Sequence, residues 1–251
     1  MTDADTATFE QLTEAEAGSP VLIEGLPGHG LVASIAVDHL TRQLGLEHHG
    51  NIHSDAFPPA ITFEDGLVRD PVRVYAGVSP DVLTLKSDLA IPPGAFRPLS
   101  RCVLNDLSSE FERAIFLAGA PAGSEGEVGE VNGVATTAEL KGELEAAGID
   151  LGVEPGLVGG VTGALIRECY HEGVPAVVLI VKAHPYLPDP KAARSVIENA
   201  LEPLVDFDID TEELREQGDE IKRRMEQIAE QYRRTAEERP AQDETAARMY
   251  Q

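Results

Sequence analysis

A short apolar segment, followed by a glycine-rich turn and an amphipathic helix, constrains the fold of this 251-residue chain most strongly. Residues 20–25 form an apolar run between chain breakers, which predicts a buried strand. Residues 26–30 (LPGHG) form a tight turn, and residues 31–44 place leucine and isoleucine side chains along one helical face. A strand, a turn and a helix in this order open a βα unit. The chain is therefore expected to build a sheet covered by helices.

Short apolar strands and amphipathic helices continue to alternate up to residue 207. The most apolar strand, 175–181, is expected to be the central strand of the sheet. A helix is predicted over Pro98–Arg113, and Thr137 is predicted to cap the helix that follows it. This order predicts an α/β fold, a three-layer α/β/α sandwich with a mixed sheet. The predicted parts are a mobile acidic N-terminus (1–19), an α/β core domain (20–207), a C-terminal helix (208–239) and a flexible tail (240–251).

The predicted C-terminal helix carries a narrow apolar stripe. Asp210 and Glu213 at its start have the spacing of a capping box. Such a narrow stripe is typical of a helix that packs on another helix or on a neighbouring subunit. Its residues are therefore candidates for the interface of a homo-oligomer. They are Leu214, Ile221, Met225, Ile228 and Tyr232.

The charge of the chain is strongly negative, with a formal value of -24. Two explanations are an acidic face for a basic partner and adaptation of the whole surface to molar salt. The carboxylates are spread along the entire chain, which favours a halophilic protein, because molar salt screens the repulsion among them. A charge of this sign repels phosphate backbones, so nucleic acid is not an expected partner.

Composition also bears on location and on cysteine chemistry. No apolar run approaches the ~18 residues of a membrane-spanning helix, so a membrane partner is not expected and the protein is predicted to be cytoplasmic. Cys102 and Cys169 follow no metal or redox spacing. Both are expected to be small buried apolar residues.

Two loops carry residues that suggest ligand chemistry. Gly28, His29 and Gly30 precede a helix N-terminus, where phosphate groups often bind. However, the Walker ending is missing and the glycine spacing does not fit a dinucleotide fingerprint, so a sharp structural turn is favoured. His184 follows the most apolar strand, at a strand end where α/β sheets bind ligands. His184 and Asp189 alone do not make a metal site, so a rigid proline-set loop in which Asp189 caps the next helix is favoured.

No metal site or cofactor is expected, because these loops do not supply a convergent ligand set. No catalytic constellation is identified either. An enzyme of the nucleoside phosphorylase or hydrolase type, using the glycine turn and the His184 loop, remains the alternative function.

The chain ends in Met249-Tyr250-Gln251, a hydrophobic residue, a tyrosine and a terminal residue. This pattern matches the tail by which proteasome activators and some assembly factors dock into pockets of the proteasome α-ring. An ordinary frayed chain end is the other interpretation.

Four segments together resemble one family, and they occur in the family's order over roughly residues 20–232. They are residues 26–36, Phe57-Pro58-Pro59, residues 159–165, and residues 184–186 with 189–193. The chain resembles the archaeal proteasome assembly chaperone family, homologues of the second eukaryotic proteasome assembly chaperone.

The resemblance implies a fold similar to that of nucleoside phosphorylases, without an established catalytic residue set. It also implies homo-oligomers and, in some members, a C-terminal tail that docks on the 20S α-ring. We therefore predict a non-enzymatic proteasome-interacting protein, either an assembly chaperone or an ATP-independent activator. Met249, Tyr250 and Gln251 are its predicted partner-binding residues.

Overall fold

The computed structural model describes residues 6–13, 18 and 20–237, and for residues 226, 229 and 231–237 it describes the backbone only. The strands are β1 (Ala7–Gln11), β2 (Val21–Gly25), β3 (Glu47–Ser54), β4 (Thr62–Glu64), β5 (Leu67–Arg69), β6 (Val72–Val78), β7 (Asp81–Ser87), β8 (Arg113–Pro121), β9 (Val131–Ala135), β10 (Asp150–Leu151) and β11 (Ala176–Ala183). The helices are α1 (Val32–Gln43), α2 (Phe96–Cys102), α3 (Ala138–Ala146), α4 (Gly160–Glu172), α5 (Pro190–Val196), α6 (Glu202–Val205) and α7 (Glu212–Glu237). Two π-helical segments, Val103–Leu107 after α2 and Ile197–Leu201 between α5 and α6, continue these helices.

Nine strands form one mixed sheet in the order β1-β3-β6-β7-β2-β8-β11-β9-β10. The middle of the sheet is parallel, since β2 pairs in parallel with β7 and β8, and β8 with β11. The β1-β3-β6-β7 side is joined by antiparallel pairs. The β4–β5 hairpin stands apart from this sheet.

The sheet is the middle layer of three. Successive residues of a strand point to opposite faces, and in β2 Ile23 joins one apolar cluster while Leu22 joins the other. The first cluster contains residues of α1, α3, α5 and α7, and the second contains residues of α2 and α4. Helices therefore cover both faces of a mixed sheet, which confirms the predicted α/β fold.

The N-terminal segment differs from its prediction. Residues 1–19 were expected to be mobile, but Ala7–Gln11 forms β1, an edge strand paired with β3. Phe9 lies opposite Ile52 in this pair and packs against the apolar cluster of α2 and α4. Gly50 makes room for it, because a Cβ at that position would lie 2.3 Å from the Phe9 ring. The aromatic anchor gives an otherwise polar segment enough apolar contact to join the sheet.

Two elements differ from their predictions, a helix in its limits and a strand in its position in the sheet. The helix predicted over Pro98–Arg113 ends earlier, and Arg113 already begins β8. β11 lies inside the sheet between β8 and β9, whereas β2 is the central strand. Apolar composition marks a strand covered on both faces, but it does not give the strand order.

The two predicted helix starts have opposite outcomes. The Thr137 side chain accepts a hydrogen bond from the Leu140 amide at 3.2 Å, which confirms the predicted cap of α3. The capping box of α7 does not form as predicted. Asp210 accepts from the Glu212 amide at 2.8 Å, while the Glu213 carboxylate lies 3.2 Å from the Arg42 guanidinium. A tertiary ion pair has taken the place of the local contact.

Candidate functional site

The predicted glycine turn lies directly on the carboxyl ends of β8 and β11. A Cβ at Gly119 of β8 would lie 2.1 Å from the His29 carbonyl oxygen. Gly30 has a φ of 64°, and a Cβ there would lie 2.8 Å from that of Ala183 in β11. Glycine is required at both places, because a side chain would push the turn off the strands. Close packing therefore accounts for these glycines without a bound phosphate.

Asp189 fastens the glycine turn to the His184 loop and to α5. Its amide donates to the Gly30 carbonyl oxygen at 2.9 Å. Its carboxylate accepts from the His184 amide at 2.7 Å and from the Ala192 amide at 3.0 Å. The second of these bonds is the predicted helix cap. Gly30 and His184 are thus brought together, as their positions at strand ends suggest, and we call this meeting point the strand-end junction.

The strand-end junction also contains Glu24, which the sequence analysis did not identify. Glu24 is fully buried on β2, and its carboxyl group accepts from the Leu26 amide at 2.9 Å and the Leu117 amide at 3.3 Å. Burial raises the pKa of this carboxyl to about 8, although hydrogen bonds from Leu26, Leu117 and the Thr162 side chain lower it. An acidic residue inside an apolar strand was the signal that could have revealed it, since buried carboxyl groups need partners.

The strand-end junction offers little accessible chemistry. Glu24 is 0% exposed. The exposed His184 uses its Nδ1 atom to accept from the Tyr186 amide at 3.2 Å, so its ring holds its own loop. The buried Nε2 atom of His29 has no hydrogen-bond partner among the described residues. The polar groups here therefore act mainly to tie β2, β8, α4 and α5 together.

The described residues contain two buried thiols and no grouped set of metal ligands. Within residues 6–13, 18 and 20–237, no three or more His, Cys, Asp or Glu side chains are grouped to hold a metal ion. Cys102 and Cys169 are buried, as predicted. Burial raises the pKa of both thiols, that of Cys169 to about 12, which keeps them protonated. The helices of the same part of the chain include none that is long and apolar enough to cross a bilayer.

The apolar stripe of α7 divides into a buried start and an exposed continuation. Leu214 is 1% exposed and packs in the apolar cluster that also contains residues of α1 and α5. It is therefore unavailable to a neighbouring subunit, contrary to the prediction. Ile221 is half-buried, and Met225 and Ile228 are 43% and 46% exposed. For Tyr232 only the helical backbone is described, and Met249, Tyr250 and Gln251 lie outside the described residues.

The sequence model of the PAC2 family matches residues 22–229, which include the whole parallel centre of the sheet and most of α7. The chain belongs to the PAC2 family. A relative from Methanocaldococcus jannaschii, the uncharacterized protein MJ0106, is 30% identical over 91% of this chain and 93% of its own length.

Two solved structures from Pyrococcus furiosus share the fold of this PAC2 protein. PbaA, described as an archaeal homolog of proteasome-assembly chaperone, is 26% identical, with a TM-score of 0.77 over 92% of this chain and 99% of PbaA. PbaB, described as an archaeal proteasome activator, is 21% identical, with a TM-score of 0.79 over 90% of this chain and 99% of PbaB. The predicted resemblance to archaeal proteasome assembly chaperone homologues is therefore confirmed.

Proposed function

We propose that this PAC2 protein is a non-enzymatic partner of the proteasome, an assembly chaperone or an ATP-independent activator. The observation that carries the proposal is its likeness to PbaA, which extends over nearly the whole of both chains. The strand-end junction is consistent with this proposal, because its carboxyl groups and the His184 ring are engaged in holding backbone segments. We also place the protein in the cytoplasm, and its charge of -24 supports a surface adapted to high salt.

In this proposal the tail Met249-Tyr250-Gln251 docks into pockets of the 20S α-ring. Burial of Met249 and Tyr250 stabilises the complex by about 1.5–3 kcal/mol each. A terminal carboxylate paired with a lysine adds about 1.5–3 kcal/mol. Association costs about 4–15 kcal/mol, so one tail binds weakly.

Several tails on one particle bind far more tightly than one, because each further contact is intramolecular. The proposal therefore requires a homo-oligomer. Support comes from α7, the helix that precedes the tail. Its Met225 and Ile228 side chains leave apolar surface uncovered on a helix that otherwise carries many charged residues.

The test is co-sedimentation with 20S particles from the same organism in molar KCl. The full chain is compared with a chain that ends at Arg248, and Tyr250→Ala is compared with Tyr250→Phe. We expect the full chain to sediment with the particles and the shortened chain to remain in the supernatant. Tyr250→Phe should retain more binding than Tyr250→Ala, because it keeps the aromatic ring.

The other outcomes separate the parts of the proposal. Equal binding by the full and shortened chains would show that the folded body recognises the particle, which favours an assembly chaperone over a tail-driven activator. Failure of both to sediment would contradict proteasome binding. If the full chain does sediment with the particles, peptide hydrolysis by the 20S particles is measured with and without it. An activator increases the rate of hydrolysis, whereas an assembly chaperone leaves it unchanged.

A further inference from the structure

The two halves of α7 carry opposite charge. Residues 210–220, around its start, contain six carboxylates and one arginine, a net charge of -5. Residues 222–234 contain two glutamates and five of the 20 Lys and Arg residues of the chain, a net charge of +3. An even distribution would place about one basic residue in that range. We call residues 222–234 the basic segment, and the remainder of the chain carries a charge of -27.

The acidic half of α7 is attached to the body of the protein. Leu214 is buried in the core. One turn later, a Cβ at Gly218 would lie 3.7 Å from the Lys191 amide nitrogen of α5. Lys222 then pairs with Glu125, in the loop after β8, at 2.9 Å. The attachment therefore extends from the start of α7 to the first residue of the basic segment.

Beyond this attachment, the basic segment projects into solvent. Every described side chain from Lys222 to Glu230 is exposed. The helical backbone continues to Glu237, about 22 Å beyond Lys222. The basic residues are therefore carried on a regular helix, at positions that another molecule can reach.

Contacts inside α7 leave these positive charges available. The Arg223 guanidinium donates to the Asp219 carbonyl oxygen at 3.2 Å, and no carboxylate of the described residues pairs with it. Arg224 pairs with Glu220, but both side chains are more than half exposed, and such pairs contribute little to stability. Arg223 is two residues from Met225, so it lies on the side of the helix opposite to the apolar stripe. A second copy that covers the stripe would leave Arg223 accessible.

The charge of the basic segment indicates the chemistry of its partner. Arginine and lysine side chains pair with carboxylates, and a protein that works in the same high salt has the same reason to carry carboxylates on its surface. Molar salt shortens the Debye length to about 3 Å, so the negative body of this chain does not repel such a partner at a distance. Charge pairs enclosed in a contact are screened much less. The partner is therefore expected to be an acidic protein surface.

The position of the basic segment indicates which acidic surface it meets. Eleven residues separate Glu237 from Met249, and they span at most about 40 Å. A docked tail therefore holds the end of α7 near the 20S particle. We propose that the basic segment binds a carboxylate-rich surface of that particle, beside the pocket that receives the tail. This contact rests on the proposed function, since it belongs to the same complex as the docked tail.

The experiment measures the affinity of the full chain for 20S particles by co-sedimentation in molar KCl and at twice that concentration. The wild type is compared with the double variant Arg223→Gln, Arg224→Gln. The matched control is Arg97→Gln, Arg101→Gln, which removes the same charge from exposed positions of α2. We expect the Kd to rise at least about fivefold in the first variant, with a weaker dependence on salt, and to stay unchanged in the control.

A second variant separates charge from side-chain shape. Arg223→Lys, Arg224→Lys retains both positive charges and should bind as the wild type does. Loss of binding in this lysine variant equal to that of the glutamine variant would overturn charge pairing. Circular dichroism shows whether the helix is kept. If the glutamine variant loses helix, the salt dependence of the wild type decides, because an affinity that does not fall at higher salt would overturn the proposal.

The remaining outcomes distinguish this contact from the proposed function. Failure of the wild type to sediment with the particles would contradict proteasome binding itself. Sedimentation of the wild type and of the glutamine variant with equal affinity would overturn the basic segment as a docking element and leave proteasome binding intact. Light scattering gives the mass of each variant. A lower mass for the glutamine variant than for the control would assign the two arginines to self-association and would also overturn the proposal.

Discussion

The strand-end junction and the exposed apolar surfaces use their residues in opposite ways. At the strand-end junction, Glu24 and Asp189 are buried and accept hydrogen bonds from several segments of the chain. On the β4–β5 hairpin and along the outer part of α7, large apolar side chains such as Phe63 and Ile228 have no comparable burial. The first region holds the fold together, and the second leaves surface that other molecules can cover.

This difference shows that residue type has to be read together with motif spacing, by which a structural turn was already favoured at residues 28–30. Glycine, histidine and aspartate at strand ends are typical of ligand sites, yet here they close a junction of packed backbone. The large apolar side chains that remain exposed lie instead on the β4–β5 hairpin and along the outer part of α7. Variants should therefore separate into those that change stability and those that change assembly.

A large effect on stability, present at every pH, is expected for Gly119→Ala at the strand-end junction. The added Cβ would lie 2.1 Å from the His29 carbonyl oxygen, so the turn must move away from β8. We expect the free energy of unfolding to fall by about 3 kcal/mol, measured by urea denaturation. Gly28→Ala is the matched control, because its added Cβ meets nothing within 4 Å and its φ is -146°. An equal loss in both variants would contradict the close-packing explanation.

A pH-dependent effect is expected for Glu24→Gln. The folded-state pKa is raised from 4.5 to about 8, so Glu24 stays protonated in the folded chain while it ionises in the unfolded chain. The stability that it contributes is complete below about pH 4.5 and is lost as the pH rises towards 8. Between these limits the wild type should lose about 1.4 kcal/mol per pH unit relative to Glu24→Gln.

The measurement for Glu24 is a series of urea denaturations from pH 5 to pH 8. Only the difference between the wild type and the variant is interpreted, because other groups also titrate. Glu139→Gln, on the exposed side of α3, is the control for changing one carboxyl group to an amide. Parallel stability curves for the wild type and Glu24→Gln would mean that the buried carboxyl does not titrate as described.

The smallest effect on stability is expected on the exposed part of the α7 stripe. Met225→Gln and Ile228→Gln each place a good helix former, glutamine, at an exposed position. Each should change the free energy of unfolding by less than about 0.5 kcal/mol. Together they should lower the particle mass if α7 contributes to the oligomer. Leu214→Ala, at the buried start of the same stripe, should instead cost about 2–5 kcal/mol. Similar stability losses at Leu214 and Ile228 would remove the distinction between the two regions.

Local chemistry made several elements predictable. The strand, glycine turn and helix of residues 20–44 follow from apolar periodicity and from the need for glycine at tight turns. The Thr137 cap follows from a hydroxyl at a helix start, and the buried cysteines follow from their apolar surroundings. The likeness to proteasome-assembly chaperone homologues was also visible, because its motifs are local. The α7 capping box failed, because Glu213 pairs with the distant Arg42.

The sequence by itself determined the α/β class, the order of most elements and the family, since each depends on residues close together in the chain. Only the tertiary structure decided that β2 is the central strand, that β1 joins the sheet and that Glu24 is enclosed by β8 and α4. It also decided that Leu214 faces the core while Phe63 faces outward. The physical reason is that burial depends on contacts between residues far apart in sequence, which local periodicity does not specify.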